Sequence, residues 1–263
     1  MDVTSLGIVM TSDSQKVDLY VDHYRAHTSG TKNESPIVRV RINGFSGWAG
    51  SVGTVVIGGK SARDWLKDAV RSRSAMTLAE LCESLATALT GCWASPAETH
   101  LSVFIAGYEG VEPRFWFISN GDIPHPAMAA VPSDFVAVND LDEYWLPEHA
   151  ALGEASSAAI ARVQPLFRRG VLAAANLFDT FAKAVGDTIA AGHEQIPAID
   201  SLERYAAFTK FRFEFAKRMY DPKYGIGTDP HPPIAGTIHV VSVDLSGIAR
   251  DHDKHVFQSS VVP

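Results

Sequence analysis

Apolar residues recur along this chain with two periods, near two and near 3.6, and their order sketches a fold. Leu6 to Met10 is a short apolar run, and Val17, Leu19 and Val21 alternate along Val17 to Tyr24, so both segments read as strands. The polar stretch from His27 to Ser35 reads as a loop. Ile37, Val38, Val40 and Ile42 lead into Gly44, and Phe45 to Ala49 follows, which predicts two strands turning at Gly44. The period then lengthens. Ser61-Ala-Arg-Asp64 and Thr77-Leu-Ala-Glu80 have the form of capping boxes, opening helices near Ser61 to Arg73 and Thr77 to Leu89. Leu78, Leu81, Leu85 and Leu89 fall on one face of the second.

Strand patterns return at Leu101 to Ala106 and Arg114 to Ser119, with Gly107 to Gly110 as the turn, and again at Asp134 to Val138. Ser156 to Ala191 reads as helix, broken near Gln164-Pro165 and stopped at Gly192. A last helix is predicted from Ser201 to Tyr220, capped by Asp200 with Glu203 at its third position. Its Phe208, Phe211, Phe215 and Met219 share a face that predicts core. Thr237 to Asp244 closes as a strand, and a polar tail with His252, Asp253 and His255 is expected from about residue 249. These elements do not alternate as βαβα. They predict one α+β domain over residues 1–263, with two stacked antiparallel sheets between helix layers.

Charge and composition narrow the partners. Lys and Arg number 23 against 30 Asp and Glu, a net charge of -7 with no basic block, so the sequence-independent grip on nucleic acid is missing. No apolar run approaches the roughly 20 residues that span a bilayer, and the first residues lack the pattern of a secretory leader. Cys82 and Cys92 have no CxxC partner and no His at ligand spacing; they read as structural thiols in a cytoplasmic protein. No metal or cofactor is expected.

In this order the segments resemble the proteasome-like N-terminal nucleophile (Ntn) hydrolases. Gly7-Ile-Val-Met-Thr-Ser-Asp13-Ser14 is similar to that family's second strand. Trp48-Ala-Gly50-Ser51 is similar to its Ala-Gly turn, Val103 to Tyr108 with Pro113 to Ile118 to its central hairpin, and Pro233 to Val243 with Ser246-Gly247-Ile248 to its closing strand and turn. The resemblance implies a four-layer αββα sandwich, a ring-forming homo-oligomer, and an amide-bond hydrolase acting on peptides or small amides. It also implies the chemistry: an N-terminal Thr, Ser or Cys attacks with its own free α-amine as base, and a glycine N–H stabilises the oxyanion.

Carried over residue by residue, the resemblance puts Asp13 at the strand-end Asp and Gly50 at the oxyanion glycine. Thr4 has the right hydroxyl for the nucleophile, provided the chain is cut after Val3. The family's lysine position holds Pro36, with Lys32 four residues earlier. Two function classes follow: a Thr/Ser-type peptidase or amidohydrolase, and a non-catalytic relative that keeps the fold for assembly or binding. Val56-Ile-Gly58-Gly59-Lys60-Ser61 is a poor phosphate loop, because the position that must be Gly is Thr54; a helix start capped by Ser61 accounts for the same residues.

Overall fold

A computed structural model describes residues 1–4, 6–13, 35–53, 56–93, 101–120, 134–139, 164–165, 183–184, 187, 199–220, 234 and 236–254. In chain order these form β1 (Asp2–Thr4), β2 (Gly7–Asp13), β3 (Val38–Ile42), β4 (Phe45–Gly53), β5 (Val56–Ile57) and β6 (Lys60–Ser61). Helices α1 (Ala62–Arg71) and α2 (Leu78–Cys92) follow, then β7 (Leu101–Glu109), β8 (Glu112–Ser119), β9 (Val136–Asn139) and β10 (Gln164–Pro165). The helix α3 (Leu202–Tyr220), β11 (Ile238–Asp244) and β12 (Ala249–Asp251) complete the set, with a 3-10 turn at His252–Lys254. The fold is α+β with antiparallel sheets. One sheet runs β10-β1-β2-β11-β12, the other β3-β4-β7-β8-β9, and β5 pairs with β6.

Three buried clusters hold these elements together. Alternation along β4, β7 and β8 sends Ala49, Val103, Ile105 and Ile118 to one face, where Leu66 of α1 and Leu81, Leu85 and Leu89 of α2 cover them. The other face carries Trp48, Phe104, Ala106, Tyr108 and Phe117, which meet Ile8, Met10, Val241 and Val243 of the first sheet. Val9, Ile238 and Val240 point the opposite way, onto Leu202, Tyr205, Ala206 and Ala216 of α3. Strand β7 is therefore covered on both faces, which is why its sequence is apolar without alternation. The Trp48 indole N–H donates across the interface between the sheets to the Ser242 carbonyl at 2.8 Å. Burying each such large side chain contributes about 1.5–3 kcal/mol.

Local signals explain the element ends. The Gly44 turn forms at φ +73°, and Thr77 with Glu80 makes the full reciprocal capping box of α2. Ser61 accepts from the Asp64 N–H, but the Asp64 carboxylate takes the Ser61 hydroxyl itself rather than reaching the cap's backbone N–H.

Several expectations give way. The β7–β8 turn lies at Gly110 and Val111, so Gly107 and Tyr108 are strand residues. Gln164-Pro165, expected as a helix break, pairs with β1. Ser201, not Asp200, caps α3, accepting from the Arg204 N–H, while Asp200 pairs with the Arg204 guanidinium. Phe211 is 56% exposed; the buried face of α3 is Leu202, Tyr205, Ala206, Thr209, Arg212 and Ala216. Residues 249–254, expected as tail, are a strand and turn packed on β11. The Val17–Tyr24 strand, His255, Lys32 and most of the Ser156–Ala191 helix lie outside the described residues. Among the described residues no helix is long and apolar enough to cross a membrane.

Candidate functional site

Thr4 ends β1 opposite Gly7, and the chain must reverse between them within two residues. Its side chain is what closes the turn. Thr4 Oγ1 accepts from the Leu6 N–H at 3.0 Å and the Gly7 N–H at 3.0 Å, and donates to the Gly7 carbonyl at 2.9 Å. A hydroxyl has one proton and two lone pairs, and here all three are used. The residue is 5% exposed. As long as Val3 precedes it, its nitrogen is a peptide nitrogen without α-amine basicity. Gly7 serves the same reversal: its φ is +149°, and a Cβ there would sit 2.4 Å from the Val243 carbonyl oxygen.

The other two residues of the expected site are not beside Thr4. Asp13 ends β2 opposite Ile238, six residues beyond the partner of Thr4, or about 20 Å along the strand. Pairing of β1 with β2 reaches only Val9. Gly50 lies inside β4 opposite Phe104, whose ring covers it; a Cβ at Gly50 would be 2.6 Å from Phe104 Cζ. The Gly44 carbonyl accepts from the Gly110 N–H, on the β7 side. Strand alternation then aims the Gly50 N–H at β7 as well, into the ladder. Thr4 is on the α3 side of its sheet, as is Asp2 two residues earlier, whereas Gly50 faces the space between the sheets. Pro36, which the resemblance puts at the lysine position, offers no amine.

Around Asp2 the structure builds a buried polar cluster that the sequence did not announce. The Tyr205 hydroxyl and Arg212 Nη2 each donate to Asp2 Oδ2 at 2.8 Å, and the Asp2 and Arg212 side chains are both 5% exposed. Burial first, then the Asp2 charge, pushes the Tyr205 phenol far above its ordinary value, so it remains a donor. Tyr205 and Arg212 are seven apart on α3, two turns along one face. That spacing was the available signal, and the more apolar Phe208, Phe211 and Phe215 outweighed it.

A second cluster ties the chain's last described turn to β11. Asp253 accepts from the Val240 N–H at 3.1 Å and pairs with His239 Nδ1, with Lys210 of α3 at 3.7 Å. Burial raises the Asp253 carboxyl, but the His239 and Val240 hydrogen bonds, with Lys210 nearby, outweigh it and hold the group below its ordinary value. Ser242 Oγ hydrogen-bonds His252 Nε2 at 2.8 Å, and Ser242 is fully buried. The geometry is that of a clasp.

Other candidate chemistry resolves into structure. Lys60 is bound to Asp68 at 2.7 Å and Ser61 caps α1, so the glycine-rich stretch is a hairpin turn leading into a helix. Burial raises the thiols of both Cys82 and Cys92, which are free, away from the reactive thiolate form. Among the described residues no three His, Cys, Asp or Glu side chains converge on a metal position. No protein-family model matches the chain, and no curated protein matches it significantly.

Proposed function

We propose that the chain is a proteasome-like Ntn-hydrolase homologue that works through assembly or binding and not through Thr4 as a peptidase nucleophile. The observation that carries the second half is the Thr4 hydroxyl, buried with its proton and both lone pairs committed to a turn. The first half rests on the ordered resemblance together with the succession of three cores, helices on sheet, sheet on sheet, sheet on helix. Read as layers, that succession supports the four-layer αββα sandwich that the resemblance implies. A cytoplasmic homo-oligomer, a ring by the same resemblance, belongs to this reading.

The competing reading is an amide-bond hydrolase. It needs a nucleophile other than a buried turn hydroxyl, and an oxyanion donor other than the Gly50 N–H, which points into the β4–β7 ladder. Intact mass and N-terminal sequencing of protein from its native source, with light scattering of the same sample, separate the two. The proposal expects residues still joined ahead of Thr4 and a mass that is a multiple of the chain's. A mature chain starting at a Thr, Ser or Cys with a free amine would contradict the non-catalytic half, and a monomer would contradict the assembly.

A further inference from the structure

Strand β3 reads Val-Arg-Val-Arg-Ile, and its burial alternates with that pattern: Val38, Val40 and Ile42 are buried, Arg39 and Arg41 exposed. Among the described residues it is the outermost strand of its sheet and pairs with β4 only. Because the Gly44 carbonyl is on the β7 side, residues 45, 47 and 49 of β4 aim their backbone groups at β3. Their partners Ile42, Val40 and Val38 answer them. Arg39 and Arg41 therefore turn their own N–H and C=O groups away from β4, to an edge that no described strand covers.

The same two residues carry positive charge. Across the strand Arg39 faces Trp48 and Arg41 faces Ser46, neither of them an acid. Among the described residues neither Arg39 nor Arg41 makes an ion pair, unlike Arg114, Arg204, Arg212 and Arg250. In a chain of net charge -7, two exposed guanidiniums at alternate positions of one edge strand, with no acidic partner among the described residues, make a local stretch of positive charge. Charge on an edge ordinarily keeps strands from pairing with it. Charge of one sign does so selectively, and admits a strand of the other sign.

We propose that the β3 edge is a docking strand for an extended acidic segment of a protein partner. Its backbone would add to the sheet at Arg39 and Arg41, and carboxylates two residues apart, about 6.8 Å, would meet the two guanidiniums. This gives the binding role proposed above a surface. Its test reads peptide capture, which is independent of Thr4, of mature N-terminus and of oligomer mass.

The test is fluorescence anisotropy of the full chain with a labelled peptide alternating Glu and Val. Saturable binding is expected, weakened roughly tenfold or more by Arg39→Glu with Arg41→Glu and by N-methylation of the peptide's pairing edge. The N-methylated peptide is read on the unaltered protein, so that comparison stands even if the double variant fails to fold. No saturable binding, equal binding by a folded double variant, or equal binding of the N-methylated peptide would overturn the proposal. So would tighter binding of a single-stranded oligonucleotide or of anionic phosphatidylserine vesicles.

Discussion

Replacing Thr4 by Val keeps the shape of the side chain and removes only its hydroxyl. In the folded protein that deletes three hydrogen bonds in a buried turn, two accepted from backbone N–H groups and one donated to a carbonyl. Each contributes about 0.5–1.5 kcal/mol net, and a buried donor left without an acceptor costs about 1–3 kcal/mol. The Leu6 N–H is only partly buried and can recover water, so the central expectation is about 3 kcal/mol. Thr4→Ser keeps the hydroxyl and loses one methyl, about 0.8 kcal/mol. Urea unfolding should show the Val variant's midpoint shifted with its m-value unchanged, and heating should lower its Tm by roughly 6–12 °C. A Val variant within about 0.5 kcal/mol of the parent, or a Ser variant as damaged as the Val one, would refute the assignment of Thr4 as the lock of the β1–β2 turn.

Three further expectations follow from named contacts. Asp2→Ala takes the carboxylate away from the buried Arg212 guanidinium and the Tyr205 hydroxyl, and should cost about 3–5 kcal/mol in denaturant unfolding, while Asp2→Leu combined with Arg212→Met should recover much of it; single variants within about 1 kcal/mol of the parent would contradict the pairing. Gly50→Ala must displace the Phe104 ring and should cost about 1–3 kcal/mol, a lower urea midpoint being the readout; an unchanged midpoint would mean the ring does not lie over the strand. The Asp253 carboxyl has a lowered pKa in the fold, so the stability it contributes is present above about pH 4 and is lost as the pH falls through its folded value. Asp253→Asn should therefore flatten the acid limb of a stability–pH curve, and a variant with the parent's limb would remove Asp253 as its cause.

Local chemistry made much of this fold legible. The alternation of β3, the turn at Gly44 and the Thr77–Glu80 box all act within a few residues, and each appears where the sequence puts it. Misreadings arose where distant contacts decide. Gly107 looks like a turn residue, but it is a close approach: a Cβ there would lie 2.2 Å from the Ser46 carbonyl oxygen and 2.6 Å from the Gly47 Cα. On α3 the core-facing residues include Tyr205, Thr209 and Arg212, because Asp2, some two hundred positions away, supplies the acceptor that makes a buried guanidinium tolerable. The 249–254 segment is polar for the same kind of reason: Asp253 and His252 have partners on β11 and α3 that no local pattern reveals.

Of the expected site, residue types were legible and mutual placement was not. A threonine hydroxyl serves equally as nucleophile and as turn cap, and only the three contacts of Thr4 tell which role the fold gives it. A glycine after alanine serves equally as oxyanion donor and as the flat spot beneath a ring, and Phe104 fills that spot at Gly50.

The central claim, that Thr4 is spent on structure, is tested most directly by covalent labelling. The folded protein would be incubated with an electrophilic β-lactone that acylates activated hydroxyls and thiols, and its intact mass compared with that of the Thr4→Val variant. The account predicts no adduct on Thr4 and matching spectra for parent and variant. A stoichiometric adduct on the parent, mapped to Thr4 and absent from the variant, would contradict it.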